Sequence, residues 1–106
     1  MIVTTGPTIV GHKTLKTFGL VRGNTIRARH IGKDIVAVFK NVVGGEIEEY
    51  TKMMAEAREQ AVDRMIAEAK SRGANAVVWV RFSTSSIMGS ASEILAYCEA
   101  ILIEED

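Results

Sequence analysis

The stretch EIEEYTKMMAEAREQAVDRMIAEAKSR, residues 46–72, contains neither glycine nor proline and is fenced by Gly44-Gly45 before it and Gly73 after it. Glycine enters the left-handed cap conformation at little cost, so the fence marks where a helix starts and stops. Such a helix spans roughly 40 Å at the standard rise per residue. A globular domain of this chain length has a diameter of only about 33 Å. The helix is therefore expected to bend, to project, or to pack against a second copy of the chain, and the expectation is an oligomer. On a helical wheel Ile47, Tyr50, Met54, Ala57, Ala61, Val62, Met65, Ile66 and Ala69 share about half the circumference. That is wider than one surface contact needs, so two are expected, one with the chain's own sheet. Met53, outside the arc, extends the second. Arg58 falls near the middle of the arc. Either its stem lies along the apolar surface with the head in water, or the guanidinium is buried and needs an acid. Glu99 is the expected partner, across the helix–sheet or a subunit contact.

Outward from the helix, residues 2–5 read as a short strand closed by Gly6-Pro7, and Lys13 to Ile26 as an extended segment. Gly19 and Gly23 inside that segment predict bulges or close backbone approach. Residues 31–43 mix strand composition with helical spacing, and are read as a short buried helix. Ala76 to Phe82 reads as a strand buried on much of both faces. The serine-rich run 83–92 reads as a loop, and Glu93 to Ile103 as the last strand. No repeat, linker or second domain interrupts residues 1–106.

Composition fits an ordinary soluble domain, with 47% hydrophobic and 25% charged residues. The single Cys98 rules out an intrachain disulfide and suits a reducing compartment. No signal peptide pattern opens the chain, and no apolar run approaches the ~20 residues that cross a bilayer. A cytoplasmic protein is expected. The net charge is zero but uneven: residues 1–45 carry seven Lys/Arg and one acid, residues 46–106 six Lys/Arg and twelve acids. Such halves meet inside one fold or across subunits, or else leave a basic surface for a ligand.

Several segments together resemble a known family. Val3-Thr4-Thr5-Gly6-Pro7-Thr8-Ile9-Val10-Gly11 is similar to the "TTTPxIxG" opening of the YbjQ-like family. Asp34 with Val42-Val43-Gly44-Gly45 resembles its "RDIVGG" segment, Tyr50 with Ala57-Arg58-Glu59 and Ala61 its "Y…AREIA" helix, and Gly73-Ala74-Asn75-Ala76-Val77 its "GANAV". The resemblance implies an α+β fold, an antiparallel sheet packed against the long helix, with subunits assembled into a ring, a pentamer. It also implies heavy-metal binding, for a family whose function is not known. The chain departs from the pattern at Arg27-Ala28-Arg29-His30, where relatives carry "LGAN", and at Ala96 to Leu102, where they carry a "SVSGTAV"-type strand.

Soft metals need thiolate, thioether and imidazole donors converging on one point. The candidates are His30, Cys98 and His12, without CxxC, HxxxH or HxH spacing. One chain lacks the four ligands of a closed zinc site, although a ring could collect one donor per subunit. A small anion is the second ligand class. Arg22, Arg27, Arg29, His30 and Lys33 fall within twelve residues, with no acid before Asp34. Arginine forks and a helix N-terminus both favour phosphate or carboxylate. Nucleic acid is not expected, because aromatics are scarce near the cluster and no RNA- or DNA-binding motif appears. Catalysis is not expected either, since no nucleophile elbow, P-loop or dinucleotide fingerprint is present. The sequence thus predicts a homo-oligomer that binds a metal ion or small anion, with a purely structural ring as the alternative.

Overall fold

The computed structural model describes residues 1–28, 48–87 and 91–105. Four strands and one helix follow in the order β1 (Ile2–Val3), β2 (Thr14–Ala28), α1 (Glu48–Ser71), β3 (Ala76–Ile87) and β4 (Ala91–Ile103). The strands form one sheet in the order β1-β3-β4-β2. β4 pairs antiparallel with β2 and β3, whereas β1 runs parallel to β3. The sheet is mixed, which corrects the expected antiparallel arrangement. The cause is β1, which enters alongside β3 from the same end. The short helix expected over 31–43 lies outside the described residues, and among those residues α1 is the one helix.

The molecule measures 55 × 24 × 16 Å, with a radius of gyration of 17.7 Å, well above the ~13 Å of a globule this size. The 15-residue β2 is itself about 50 Å long. α1 therefore does not overshoot its sheet. Where it is described, the run expected as a loop is strand: β3 continues through Ile87, with Ser85 opposite Glu93 and Ser86 opposite Ser92. Cross-strand pairing supplies the order that composition did not signal.

α1 ends where Gly73 takes a φ of 95°. The Gly73 N–H donates to the Lys70 carbonyl and the Ala74 N–H to the Ala69 carbonyl, the double bond pattern of a Schellman cap. Asn75 then clamps the sheet. Its side-chain carbonyl accepts from the Ile103 N–H at 2.7 Å, and its amide donates back to the Ile103 carbonyl at 2.9 Å.

The glycines of β2 do two different jobs. Gly19, at φ 91°, marks a register shift against β4. This bulge lets Phe18 and Val21, three residues apart, both pack against the helix. At Gly23 the helix backbone rests on the strand. A Cβ there would collide with the Ala61 carbonyl oxygen and the Met65 nitrogen, and would lie 2.8 Å from the Arg64 carbonyl carbon. The small residues Ala57, Ala61 and Ala69, with Met65 between them, are completely buried under this contact. Ile94, Ala96, Cys98 and Ala100 of β4 complete that core. A second, smaller cluster lies on the other face, where Ile9 packs on Ala76, Val78, Ile101 and Ile103.

The buried stripe is narrower than the half-circumference expected, and Arg58 is exposed. A wheel collapses the helix along its axis, whereas an i, i+4 stripe rotates by about 40° at each step. At the level of Ala57 the sheet faces one side of the helix and Arg58 another. Met54, Val62 and Ile66 are half-buried along the flank.

Gly23→Ala forces backbone against backbone, so it is expected to cost about 3 kcal/mol or more, at or above the upper range of ordinary overpacking. Urea unfolding should show a clearly lowered midpoint with an unchanged slope. A midpoint equal to wild type would contradict the close contact.

Candidate functional site

β4 separates two environments. Its even residues from Ile94 to Ala100 are buried beneath α1, while Tyr97 and Glu99 are only half-buried and, by strand alternation, point the other way. Residues paired across an antiparallel ladder share a face. Arg22, Tyr97 and Arg81 therefore form one row, and Leu20 and Glu99 the next. At the end near Ile101, Ile9 covers this face. Leu20 is 61% exposed.

Beyond that cover lies a concavity of about 320 Å³, lined by Gly19, Leu20, Trp79, Arg81, Tyr97, Cys98 and Glu99. Its geometry originates in a bulge of β3. Val78 pairs with Glu99 but Arg81 with Tyr97, so β3 carries one extra residue there. Trp79 takes up the difference at φ 56°, a conformation that costs an L-residue roughly 1–2 kcal/mol. Two hydrogen bonds hold it: the Trp79 N–H donates to the Gly6 carbonyl at 3.0 Å and the Val80 N–H to the Thr4 carbonyl at 3.2 Å. The indole stays 45% exposed.

Arg81 is fixed in turn. Its Nη1 donates to the Thr5 carbonyl at 2.8 Å and to the Val80 carbonyl at 2.9 Å, and the guanidinium lies 5.3 Å from the Trp79 ring centroid. This cation–π contact and the anchored nitrogen preorganise the fork. Glu99 lines the same concavity without pairing to Arg81. The one ion pair among the described residues is Arg72–Glu68, at 2.9 Å on the helix surface.

The basic cluster expected from sequence is split. Arg22 and Arg27 are five residues apart on one strand and point to opposite faces. Arg27 lies on the helix side, where its Nη2 donates to Gln60 Oε1 at 2.9 Å. Arg29, His30 and Lys33 lie outside the described residues. The expected Arg58–Glu99 bridge does not form within the chain. Arg58 faces a second concavity, with Thr51, Met54 and Thr84 on the helix side of the sheet, whereas Glu99 opens on the other side.

The described metal candidates do not converge. His12 Nδ1 lies 3.0 Å from the Glu104 carbonyl oxygen, which fits an Nδ1–H donor. Cys98 is buried under α1, about 20 Å along the strand from that point. Burial, with a smaller contribution from the Glu68 carboxylate, pushes its thiol up to about 11, the reverse of what a thiolate ligand needs. Among the described residues no three His, Cys, Asp or Glu side chains are grouped to hold a metal ion.

Trp79, Arg81, Tyr97 and Leu20 were not singled out by sequence reasoning. One signal was available. Read as a hairpin symmetric about position 89, residues 81–87 fall opposite 91–97 and place Arg81 beside Tyr97. The bulge at Trp79 left no such mark, because glycine is the usual residue at positive φ.

Comparison with known proteins extends the picture over the whole chain. A UPF0145 protein of Dehalococcoides mccartyi is 59% identical over 104 residues, covering 98% of this chain and all of the relative. One from Pyrococcus horikoshii is 54% identical over 104 residues, covering 98% of this chain and 89% of the relative. The crystal structure of a protein of unknown function from Pediococcus pentosaceus, assigned to the DUF74 family, has the same fold. It superposes with a TM-score of 0.66 at 13% identity, over 98% of each chain. Residues 1–104 match the YbjQ family profile, described as "Putative heavy-metal-binding", and the chain belongs to that family.

Proposed function

We propose that the protein is a homo-oligomeric binding module for a small anion, held at the Arg81 end of the open-face concavity, and that it binds this ligand without transforming it. The observation that carries the proposal is the anchored guanidinium. Arg81 is anchored through Nη1 and stacked on Trp79, with further N–H donors not engaged by any described residue. Arg22, in the same row, adds a second positive charge. Exposed ion pairing is weak and salt-screened, so a preorganised fork beside an aromatic wall is what gives such a site affinity.

The oligomer is supported by the sheet edges. No described residue pairs with the outer edge of β2, and β1 ends at Val3, leaving the outer edge of β3 beyond Arg81 without a described partner strand. Ile26 on β2 and Phe82 on β3 are both about half exposed. Two unlike edges that join head to tail close into a ring when the rotation between copies closes, and the pentamer implied by family resemblance is the size we propose. A ring with no small ligand is the second reading, favoured by the same edges. The heavy-metal description of the family needs donors that the described part of one chain does not assemble. It therefore requires a site shared between subunits or formed with residues outside the described ones.

The only tryptophan is Trp79, so its fluorescence reports on the site directly. Titration with 4-methylpentanoate at low ionic strength should give a saturable change, weakened about tenfold or more in Arg81→Gln by loss of a charge-assisted contact. An identical response in the variant would remove the site. Native mass spectrometry of protein purified without chelator should show a pentamer. A stoichiometric metal mass in that spectrum would favour the family's metal reading over the anion, and a monomer would overturn the ring. Cys98 should resist iodoacetamide in the native state at neutral pH and react on unfolding. Because its folded pKa is raised, stability is unaffected by this group below about 9 and falls as pH rises from there toward 11. Melting temperatures across that window, compared with Cys98→Ala, test the sign.

A further inference from the structure

The concavity carries two opposite charges that do not satisfy each other. Arg81 and Glu99 both line it, yet no ion pair joins them. Arg81 lies opposite Tyr97, and Glu99 two residues further along β4, a diagonal relation that sets the two backbones roughly 7–8 Å apart. Apolar wall lies alongside, from Leu20 and the Trp79 indole, both substantially exposed. At about 320 Å³ the space is at the small end of ligand pockets, too small for a nucleotide-sized molecule to be engulfed.

We infer that the ligand is a small zwitterion with an apolar side chain, of the amino acid class. Its carboxylate meets the Arg81 fork, its ammonium meets Glu99, and its hydrocarbon part lies against Leu20 and Trp79. This rests on the anion reading above and adds to it the role of Glu99. A ligand bearing only an anion would approach a carboxylate unfavourably and leave that carboxylate partly desolvated and unpaired. A ligand bearing both charges turns this cost into a second charge-assisted contact. Tyr97, between Arg22 and Arg81 in one row and two residues from Glu99 along β4, carries a hydroxyl that can donate or accept.

The test compares three compounds that share the 3-methylbutyl group by Trp79 fluorescence and calorimetry: L-leucine, 4-methylpentanoate (no amino group) and 3-methylbutylamine (no carboxylate). L-leucine is expected to bind about tenfold or more tightly than either. In Glu99→Gln that advantage over 4-methylpentanoate should shrink to within about twofold, while 4-methylpentanoate binds as well as before or better. Glu99→Asp, which keeps the charge, should retain part of the advantage, separating charge from shape and from folding. If L-leucine binds no better than 4-methylpentanoate while the latter still depends on Arg81, the zwitterion inference fails and the anion reading stands. That is also the outcome if Arg58 of a neighbouring copy occupies Glu99. If none of the three binds, or 3-methylbutylamine matches L-leucine and Arg81→Gln changes nothing, the anion reading fails as well.

Discussion

The structure depends on one approach of backbone to backbone, the turn of α1 at Ala61–Met65 resting on Gly23 of β2. Helices usually stand off a sheet by the thickness of their side chains. Here alanine lines the helix and glycine the strand, so the two surfaces meet without intervening atoms. The gain is dispersion contact at high density, and the requirement is steric. Neither partner can enlarge without displacing the other, and the orientation of α1 over β2 and β4 is fixed by that requirement rather than by a broad greasy face.

From this contact follows the division of labour across β4. Because α1 covers one face, the even residues of β4 from Ile94 to Ala100 are committed to the core, and Cys98 is sealed among them with its thiol pKa pushed up by burial. The odd residues are left for the opposite face, where Ile9 covers one end. Tyr97 and Glu99 sit just past that cover, beside the one place where β3 loses register. The bulge rotates Trp79 outward and lays Arg81 across it. A strained residue held by two hydrogen bonds to the chain's N-terminal segment is thereby made into a wall.

Much of the fold was legible in residues 46–72 and in the glycines around them. The helix, its Gly73 cap and the two special glycines of β2 all follow from backbone rules that act locally. The failures are equally physical. The serines of β3 have weak strand propensity and became strand through pairing with β4, a contact invisible to local reading. Arg58 looked central to the apolar arc because a wheel ignores drift along the axis. Arg22 and Arg27 looked like one cluster because proximity in sequence was not weighed against the two-residue period of a strand. The site suffered most, since Trp79, Arg81, Tyr97 and Leu20 come from three strands and are brought together by a bulge whose residue is not glycine.

The strand order has a bearing on how the chain reaches this state. Among the described residues β2 has one neighbour, β4, and the whole of α1 and β3 lies between them in the chain. During synthesis the ladder of β2 cannot close until β4 has emerged, and long-range pairing of this kind is slow. For that interval a long strand containing Val21 and Ile26 is held without a sheet, the sort of segment that recruits other chains. Lys16, Arg22 and Arg27, spaced along it with no acid among them, would make such strands repel one another. The basic character of β2 would thus act before the chain has folded, independent of anything the folded protein binds.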